Sequence, residues 1–208
     1  WVTNRSGVTQ NARNVLAFQD LGEKLSDVYN TSNVYAGSIN TPYPDNRNNS
    51  LGPEILLTDF PSIRSVSQIT SQLNGTGYEQ AIDYEKIENA KKLTSSEYSF
   101  DSRLGFISLN QALNSDEVLA VAFQYTINGT PYQVGELSTD VASPDALILK
   151  LLKSTTVDVN LPMWRLLMKN VYALGAYQVN KDDFDLQILY QDDESGTPLP
   201  FIPEDGLS

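Results

Sequence analysis

Four acidic residues lie beside predicted strands, where a pair of carboxylates could act as an acid and a base: Asp83, Glu85, Glu117 and Glu136. Glycoside hydrolysis can run on a carboxylate pair without any histidine. The sequence does not supply the separation between these groups, which distinguishes a catalytic pair from unrelated charges. A carboxylate-pair glycoside hydrolase is therefore a remote alternative, and no catalytic residue is assigned.

Two denser acidic clusters flank the last predicted strand. The clusters consist of Asp182, Asp183 and Asp185, and of Asp192, Asp193 and Glu194. Ca²⁺ takes about six to eight oxygen ligands, which carboxylates at strand ends can supply. However, the Asp-x-Asp-x-Asp-Gly spacing of a calcium loop is missing, and charge runs are usually solvated faces. We interpret both clusters as exposed charge and assign no metal ligand.

Missing residue types exclude several enzyme classes. The chain contains no histidine and no cysteine. Within this chain, that excludes Ser-His-Asp and Cys-His catalysis, disulfide bonds and cysteine-based zinc sites. The formal net charge of -12 argues against binding to nucleic-acid phosphates or to an anionic membrane surface. We interpret the acidity as a contribution to solubility and expect no cofactor.

Aromatic and asparagine side chains give weaker signals. Tyr29, Tyr35 and Tyr43 lie in a segment rich in turn-forming residues and are candidates for surface contacts. Trp164 stands at helical spacing among methionine and leucine, which predicts core packing. Asn-x-Ser/Thr triplets, a short pattern that is frequent by chance, begin at several positions that include Asn4, Asn30, Asn74 and Asn128.

Hydrophobic patterns predict the elements that must position these side chains. Strands are expected at residues 15–18, 55–57, 105–109, 146–152 and 184–190, and at each end of 78–98. Apolar residues spaced three and four apart predict helices at 61–73 and 162–174, each followed by glycine. These elements predict an α+β fold in which a mainly antiparallel β-sheet or sandwich is packed by one or two helices.

The most distinctive segment is a predicted hairpin at residues 117–136, EVLAVAFQYTINGTPYQVGE. Asn128-Gly129 is typical of a type I′ turn, which needs a positive φ at two successive residues. Both faces of the first strand are apolar, which predicts a central strand covered on both sides, with the 162–174 helix as one cover. Pro131 predicts that the returning strand is an edge strand or starts late.

We expect residues 1–208 to form a single soluble domain that is part of a much larger protein. The chain shows no signal-peptide pattern after Trp1 and no apolar stretch of about 18 to 20 residues that could form a spanning helix. Turn-forming residues are dense at 26–53, which predicts a mobile loop, and at 192–208, which predicts a tail leading out of the domain.

Two long stretches resemble the SprA/Sov family of very large outer-membrane proteins of Bacteroidetes. They are DYEKIENAKKLTSSEYSFDSRLGFISLNQALNSDEVLAVAFQYTINGTPYQVGE at residues 83–136 and LILKLLKSTTVDVNLPMWRLLMKNVYALGAYQVNKDDFDLQILYQDD at residues 147–193. The opening VTNRSGVTQNARNVLAFQDLGE is similar to the same family, though less closely. Together the three stretches cover most of the chain.

This resemblance implies a role in type IX protein secretion and, in gliding species, in motility. It implies a non-enzymatic structural domain of the outer-membrane translocon, lying on the extracellular or the periplasmic side. The implied partners are other parts of the same large protein, secretion-system subunits and secreted cargo, without nucleic acid. The family offers no catalytic residues to carry over to this chain.

One further function stays open at this point. The Tyr- and Asn-rich segment at residues 29–50 would suit a cell-surface module that binds glycan or protein. The absence of histidine and cysteine and the many apolar strands favour the structural role instead.

Overall fold

The computed structural model describes residues 1–7, 9–21, 57–169 and 179–200, apart from 181, 183, 186 and 192–195. The chain groups into two compact units, Trp1–Lys169 and Asn170–Ser208. The single domain expected over residues 1–208 stays a prediction. The predicted loop at 26–53 and most of the predicted tail at 192–208 lie outside the described residues.

Short strands dominate the described residues, and helices are few. The strands are β1 (Arg13–Phe18), β2 (Tyr84–Ala90), β3 (Tyr98–Asp101), β4 (Phe106–Leu109), β5 (Leu119–Val121), β6 (Phe123–Ile127), β7 (Thr130–Val134), β8 (Leu147–Lys153), β9 (Tyr190–Gln191) and β10 (Pro198–Leu199). The helices are α1 (Leu57–Asp59), α2 (Ile69–Leu73) and a 3-10 helix at Pro162–Leu166. Most strand pairs are antiparallel, so the predicted fold class is confirmed.

A four-stranded sheet in the order β2-β1-β8-β5 forms the centre of the first unit. β1 is antiparallel to β2 and parallel to β8, and β8 is antiparallel to β5. β8 is buried on both faces from Leu147 to Leu151, which accounts for its nearly continuous apolar sequence. The strands predicted at 15–18 and 146–152 are therefore confirmed.

Two hydrophobic cores lie on opposite faces of this sheet, because successive side chains of a strand alternate between faces. Leu16, Phe18 and Ile148 belong to the first core, which α2 covers through Ile69 and Leu73. The second core contains the alternate positions of the same strands together with Met163 of the 3-10 helix; its strand members include Val15, Ala17, Leu147 and Leu149.

The first three residues connect the two outer strands of the sheet. The backbone N–H of Val2 donates to the carbonyl of Lys91, directly after β2, and the N–H of Lys91 donates back to Val2, both at 2.9 Å. On the other side, the N–H of Ala120 in β5 donates to the carbonyl of Trp1 at 2.9 Å. Backbone hydrogen bonding therefore continues from β5 through residues 1–3 to the end of β2.

The predicted helices are shorter than expected. Ile63, Ile69 and Leu73 are fully buried at the predicted spacing, but only Ile69–Leu73 is α-helical and turns precede it. Leu57, expected to end a strand, starts the short α1 instead; residues 55 and 56 are outside the described part of the chain.

The helix predicted at 162–174 is wrong over its described part. The chain forms a 3-10 helix that ends at Leu166, and Leu167 is extended with φ -80° and ψ 133°. No side chain caps the start of this helix, so its first turn lacks the partner that usually stabilises a longer helix. Residues 170–174 lie outside the described part of the chain.

The predicted hairpin forms around its expected turn but is divided into two sheets. Asn128 and Gly129 have φ values of 50° and 82°, which confirms the type I′ turn. The long strand breaks at Ala122, so β5 stays in the main sheet while β6 pairs with β7 alone. Pro131 lies within β7, an edge strand, as predicted. The prediction that the whole first strand is central and covered is wrong, because Phe123 in β6 is 42% exposed.

A close backbone contact explains where the hairpin separates. Gly135 follows β7 with φ 72°, and a Cβ there would lie 2.8 Å from the carbonyl oxygen of Val121 and 3.0 Å from the Cα of Ala122. Only glycine lets the returning chain pass this close to the other backbone. The ladder of β6 and β7 therefore leaves the main sheet at this point.

The remaining strand predictions are confirmed in part. Strands form at the predicted ends of 78–98, as β2 and β3, and β4 fills most of the predicted strand at 105–109. In the second unit, β9 and β10 form a two-stranded antiparallel ladder. The strand predicted at 184–190 is wrong over most of its described residues, because only Tyr190 and Gln191 pair, and they do so with the short β10.

Candidate functional site

Glu136 is buried and forms an ion pair with a half-buried partner, Arg64, that the sequence did not indicate. Its two carboxylate oxygens accept hydrogen bonds from Arg64 Nη2 at 2.6 Å and Nη1 at 2.9 Å. The same carboxylate accepts the backbone N–H of Ile148 in β8 at 2.7 Å. Arg64 also donates to the carbonyl of Ala146, and the hydrogen bond to Glu136 raises the pKa of its guanidinium. This pair joins the segment before α2 to the hairpin and to β8.

Glu85 of β2 is held by hydroxyl groups instead of a cation. Its Oε1 accepts hydrogen bonds from Ser154 Oγ at 2.9 Å and from Thr155 Oγ1 at 2.6 Å. The backbone N–H of Thr155 donates to the same oxygen at 2.9 Å. Glu85 therefore fixes the chain as it leaves β8, and its carboxylate is buried away from solvent.

Glu117 closes the loop that leads into β5. Its Oε2 accepts the backbone N–H of Asn114 at 2.6 Å and the side-chain Nδ2 of Asn114 at 3.0 Å. Arg5 Nε lies 3.0 Å from Oε1 of the same residue. Lys153 Nζ donates to the carbonyl of Glu117 at 2.6 Å. Through these bonds, Glu117 connects Arg5 and the loop at Asn114 to the start of β5. Lys153, at the end of β8, is bonded to the same residue.

Asp83 is buried in the turn before β2, and its pKa is raised. Its Oδ2 accepts the backbone N–H of Glu79 at 2.8 Å, which closes the turn that precedes β2. Burial, with a smaller contribution from the nearby charge of Glu79, raises the pKa of Asp83 to about 6. A raised pKa is a feature of many acid catalysts, but here the carboxylate is bonded within a turn beneath the surface.

The four carboxylates therefore occupy four separate structural positions. Each accepts hydrogen bonds from a different local segment, and no described bond joins one of them to another. A catalytic pair needs two carboxyl groups that face one substrate. The observed bonding gives that reading no support.

A small cleft lies beside the 3-10 helix, and none of the four carboxylates lines it. Its walls include Thr156, Asp158, Leu161, Met163 and Trp164. The space open to the centre of a water-sized sphere is about 10 Å³, which is close to the minimum for one water molecule. The Asp158 Oδ1 already accepts the backbone N–H of Asn160 at 2.8 Å. The cleft is too small for a sugar ring or a cofactor.

Trp164 is only partly buried, so the prediction that it packs in the core is wrong; its neighbour Met163 is the buried residue. The Nζ of Lys169 lies 5.6 Å from the centre of the Trp164 ring. This cation–π contact occupies one aromatic face at the surface. The candidate contact residues Tyr29, Tyr35 and Tyr43 lie outside the described residues.

The acidic clusters do not assemble a cation site in the part of the chain that is described. Asp182 and Asp185 are described, whereas Asp183, Asp192, Asp193 and Glu194 are not. Among described residues, no group of three or more acidic side chains is placed to hold a metal ion. Asp185 instead accepts a hydrogen bond from Gln187 at 3.1 Å.

The β3–β4 hairpin carries an apolar face that neither core covers. Antiparallel pairing sets Tyr98 opposite Leu109 and Phe100 opposite Ile107, so these four side chains share one face. Phe100 is 58% exposed, and Leu104 at the hairpin loop is 76% exposed. The sequence predicted both strands from this alternation, but it could not show that their apolar face would lie outside the two cores.

Comparison with protein-family models and with curated proteins finds no match. Among the described residues, no helix has the length and apolar character needed to cross a membrane. The functional assignment therefore depends on the chemistry of the described residues and on the resemblance of the sequence.

Proposed function

We propose that this chain is a non-enzymatic structural domain of the outer-membrane translocon for type IX secretion, a system also linked to gliding motility. The observation that carries the proposal is the use of Asp83, Glu85, Glu117 and Glu136 as structural hydrogen-bond acceptors. They are the residues best suited to chemistry in a chain without histidine or cysteine. Their bonding supports a structural role for this domain.

The long stretches at residues 83–136 and 147–193 link this part to the translocon, because they resemble the SprA/Sov family over much of the chain. On this proposal, the domain lies on the extracellular or periplasmic side of the outer membrane. Its partners are other parts of the same large protein, secretion-system subunits and cargo.

The experiment compares isosteric and truncating changes in the full-length protein within a secreting bacterium. Glu85→Gln and Glu117→Gln keep shape and remove charge, whereas Arg64→Ala leaves Glu136 without its cation. A structural role predicts that cargo secretion falls with the protease resistance of this segment, so Arg64→Ala has the largest effect. Loss of secretion in a glutamine variant that keeps full protease resistance would contradict the proposal and favour chemistry at that carboxylate.

A second candidate, a cell-surface module that binds protein or glycan, is favoured by the exposed face of Phe100 and its neighbours. Protease added to intact cells tests the location, because cleavage of this segment requires that it face outward. Pull-down with the wild-type chain and with Phe100→Ser separates the two functions. A ligand that binds the wild-type chain and not Phe100→Ser would support the binding module. If full-length wild-type and Phe100→Ser proteins secrete cargo equally, this binding role is separate from transport.

A further inference from the structure

The tripeptide Asn-Gly-Thr occurs twice in this chain, in two different turns. Asn74 follows α2 with φ -64° and ψ 129°, and Gly75 has φ 78°. These angles define a type II turn, and the N–H of Thr76 donates to the carbonyl of Leu73 at 3.2 Å. Asn128 and Gly129 form the type I′ turn of the β6–β7 hairpin. The same three residues are thus held in two backbone geometries.

Asn-Gly is the dipeptide in which a backbone nitrogen most easily attacks the preceding side chain, because glycine has no Cβ to obstruct the approach. The nitrogen of Gly75, after losing its proton to base, can attack Cγ of Asn74. The new N–Cγ bond closes a five-membered succinimide while the Cγ–Nδ2 bond breaks and ammonia leaves. Water then opens the ring at either carbonyl and gives aspartate or isoaspartate.

Backbone geometry separates the two sites. In a type I′ turn the first residue has ψ near about 30°, which places the next nitrogen on the far side of Cα from the side chain. At Asn74, with ψ 129°, the nitrogen of Gly75 lies nearer to the side chain, so a smaller rotation about the Cα–C bond brings it to Cγ. Both asparagines and both glycines are exposed to water and base.

Hydrogen bonding adds to this difference. Asn128 closes a ladder of five residue pairs that ends at Ile127 and Thr130. Rotating its peptide toward the side chain disrupts the end of that ladder. Across the Asn74 turn, Thr76 donates to the carbonyl of Leu73 from its backbone N–H at 3.2 Å and from its Oγ1 at 2.6 Å. Two bonds from one residue therefore close this turn, whereas Asn128 lies at the end of a ladder of five residue pairs.

We propose that Asn74 is a site of spontaneous conversion to aspartate and isoaspartate, and that the hairpin protects the identical tripeptide at Asn128. The turn at Asn74 connects Leu73 to Tyr78, and both side chains are buried in the first core. Tyr78 packs edge-on against Phe18, with ring centres 5.4 Å apart. Isoaspartate inserts a methylene group into this short connection, so conversion loosens the first core.

The test incubates the purified chain at mildly alkaline pH and 37 °C as a function of time, with and without urea. Peptide mass mapping measures the gain in mass at Asn74 and at Asn128, and isoaspartyl methyltransferase labelling counts the isoaspartate. We expect native protein to convert at Asn74 about fivefold faster or more, which corresponds to roughly one net hydrogen bond. In urea the two tripeptides should convert at similar rates.

Equal native rates, faster conversion at Asn128, or no conversion at Asn74 would each overturn the proposal. A preference for Asn74 that persists unchanged in urea would also overturn it, because flanking residues would then explain the difference. The Asn74→Gln variant provides a second measurement, since a glutamine side chain forms the ring far less readily. Thermal stability should fall with age in the wild-type chain and hold in Asn74→Gln.

Discussion

The β3–β4 and β6–β7 hairpins are similar in sequence pattern but differ in how they are attached. β7 ends in Val134, a buried member of the first core, and continues directly into Gly135 and Glu136, which touch the main sheet. β3 and β4 place their shared apolar face outside both cores. An isolated two-stranded hairpin is marginal in water. Attachment to the core, rather than strand sequence, therefore determines how much each hairpin contributes to stability.

Each hairpin has its own local anchor. In β3–β4, Oδ1 of Asp101 accepts the backbone N–H groups of Arg103 and Leu104, both at 2.9 Å, and so orders the loop. At its base, Glu97 accepts a hydrogen bond from Lys91 at 2.5 Å. In β6–β7 the corresponding anchor is the ion pair of Arg64 and Glu136. Substitutions near these anchors should therefore change the unfolding free energy by different amounts in the two hairpins.

The largest effect is expected from Arg64→Ala. Removing the cation leaves Glu136 buried without its charged partner, which should cost about 3 kcal/mol of unfolding free energy. Urea denaturation followed by circular dichroism measures the loss. Arg103→Ala in the other hairpin is the control, because this exposed side chain should change stability by less than about 0.5 kcal/mol. Similar losses in both variants would remove the distinction between the two attachments.

The next largest difference in stability is expected from adding a methyl group at one glycine beside each hairpin. These glycines are Gly135, directly after β7, and Gly105, in the β3–β4 loop. Gly135→Ala should cost about 2 to 3 kcal/mol, since a positive φ is combined with a contact to the backbone of Val121. Gly105→Ala meets open space at nearly the same φ of 70°, so only the conformational cost of about 1 kcal/mol remains. Thermal unfolding of the two variants measures the difference, and equal melting temperatures would show that the contact at Gly135 is unimportant.

Lowering the pH should reduce the stability contributed at the base of β3–β4 and increase the stability contributed beside the main sheet. The pKa of Glu97 is lowered to about 2, chiefly by its hydrogen bond with Lys91. Its contribution is therefore complete above the ordinary carboxyl range and is lost as the pH falls toward 2. Nuclear magnetic resonance of β3 amides should show this loss in the wild type, and Glu97→Gln should remove the pH dependence. A transition that remains in the variant would assign it to another group.

Asp83 supplies the contribution of opposite sign. Because its folded pKa is raised to about 6, the folded state binds more protons than the unfolded state between roughly pH 4 and 6. Stability from this group falls as the pH rises through that window. Asp83→Asn should raise the unfolding free energy at pH 7 by about 1 to 2 kcal/mol and leave it nearly unchanged near pH 4. A stabilisation that is equal at both pH values would contradict the assignment.

The smallest effect is expected at the uncovered face of β3–β4. Phe100→Ser should change stability by no more than about 0.5 kcal/mol, because the ring is largely in water already. Val134→Ala, at the end of β7 where the β6–β7 hairpin joins the first core, should cost about 2 kcal/mol. Denaturant titration of both variants checks the difference. A large loss in Phe100→Ser would mean that this face is covered in solution.

Local sequence determined much of the fold. The alternation in β1, β4 and β8 and the Asn-Gly turn follow from short-range rules of side-chain period and backbone geometry. The helix prediction at 162–174 was wrong over the described residues because their apolar spacing suits an α-helix, whereas the chain forms a 3-10 helix at Pro162–Leu166 with Met163 buried. Periodicity reports which residues are apolar, and it does not report where the hydrogen bonds end.

For the candidate site, the sequence predicted where the carboxylates lie but not which groups they bond to. Their positions near strands were predicted, but the partner of Glu136 lies 72 residues away in sequence, and the partners of Glu85 lie about as far. Such pairs arise when distant segments pack together, and a single sequence carries no signal for them. Likewise, the division of the 117–136 hairpin follows from the contact of Gly135 with Val121, which is a tertiary contact.

Residues 1–3 have a mechanical consequence. Val2 is bonded to Lys91 on one side, while Trp1 is bonded to Ala120 on the other. A pulling force on residue 1 is shared between the two outer strands of the sheet, which lie on either side of this segment and about 30 residues apart in the chain. Tension on residue 1 therefore loads β2 and β5 together, and rupture of this short segment would release both sides of the sheet at once.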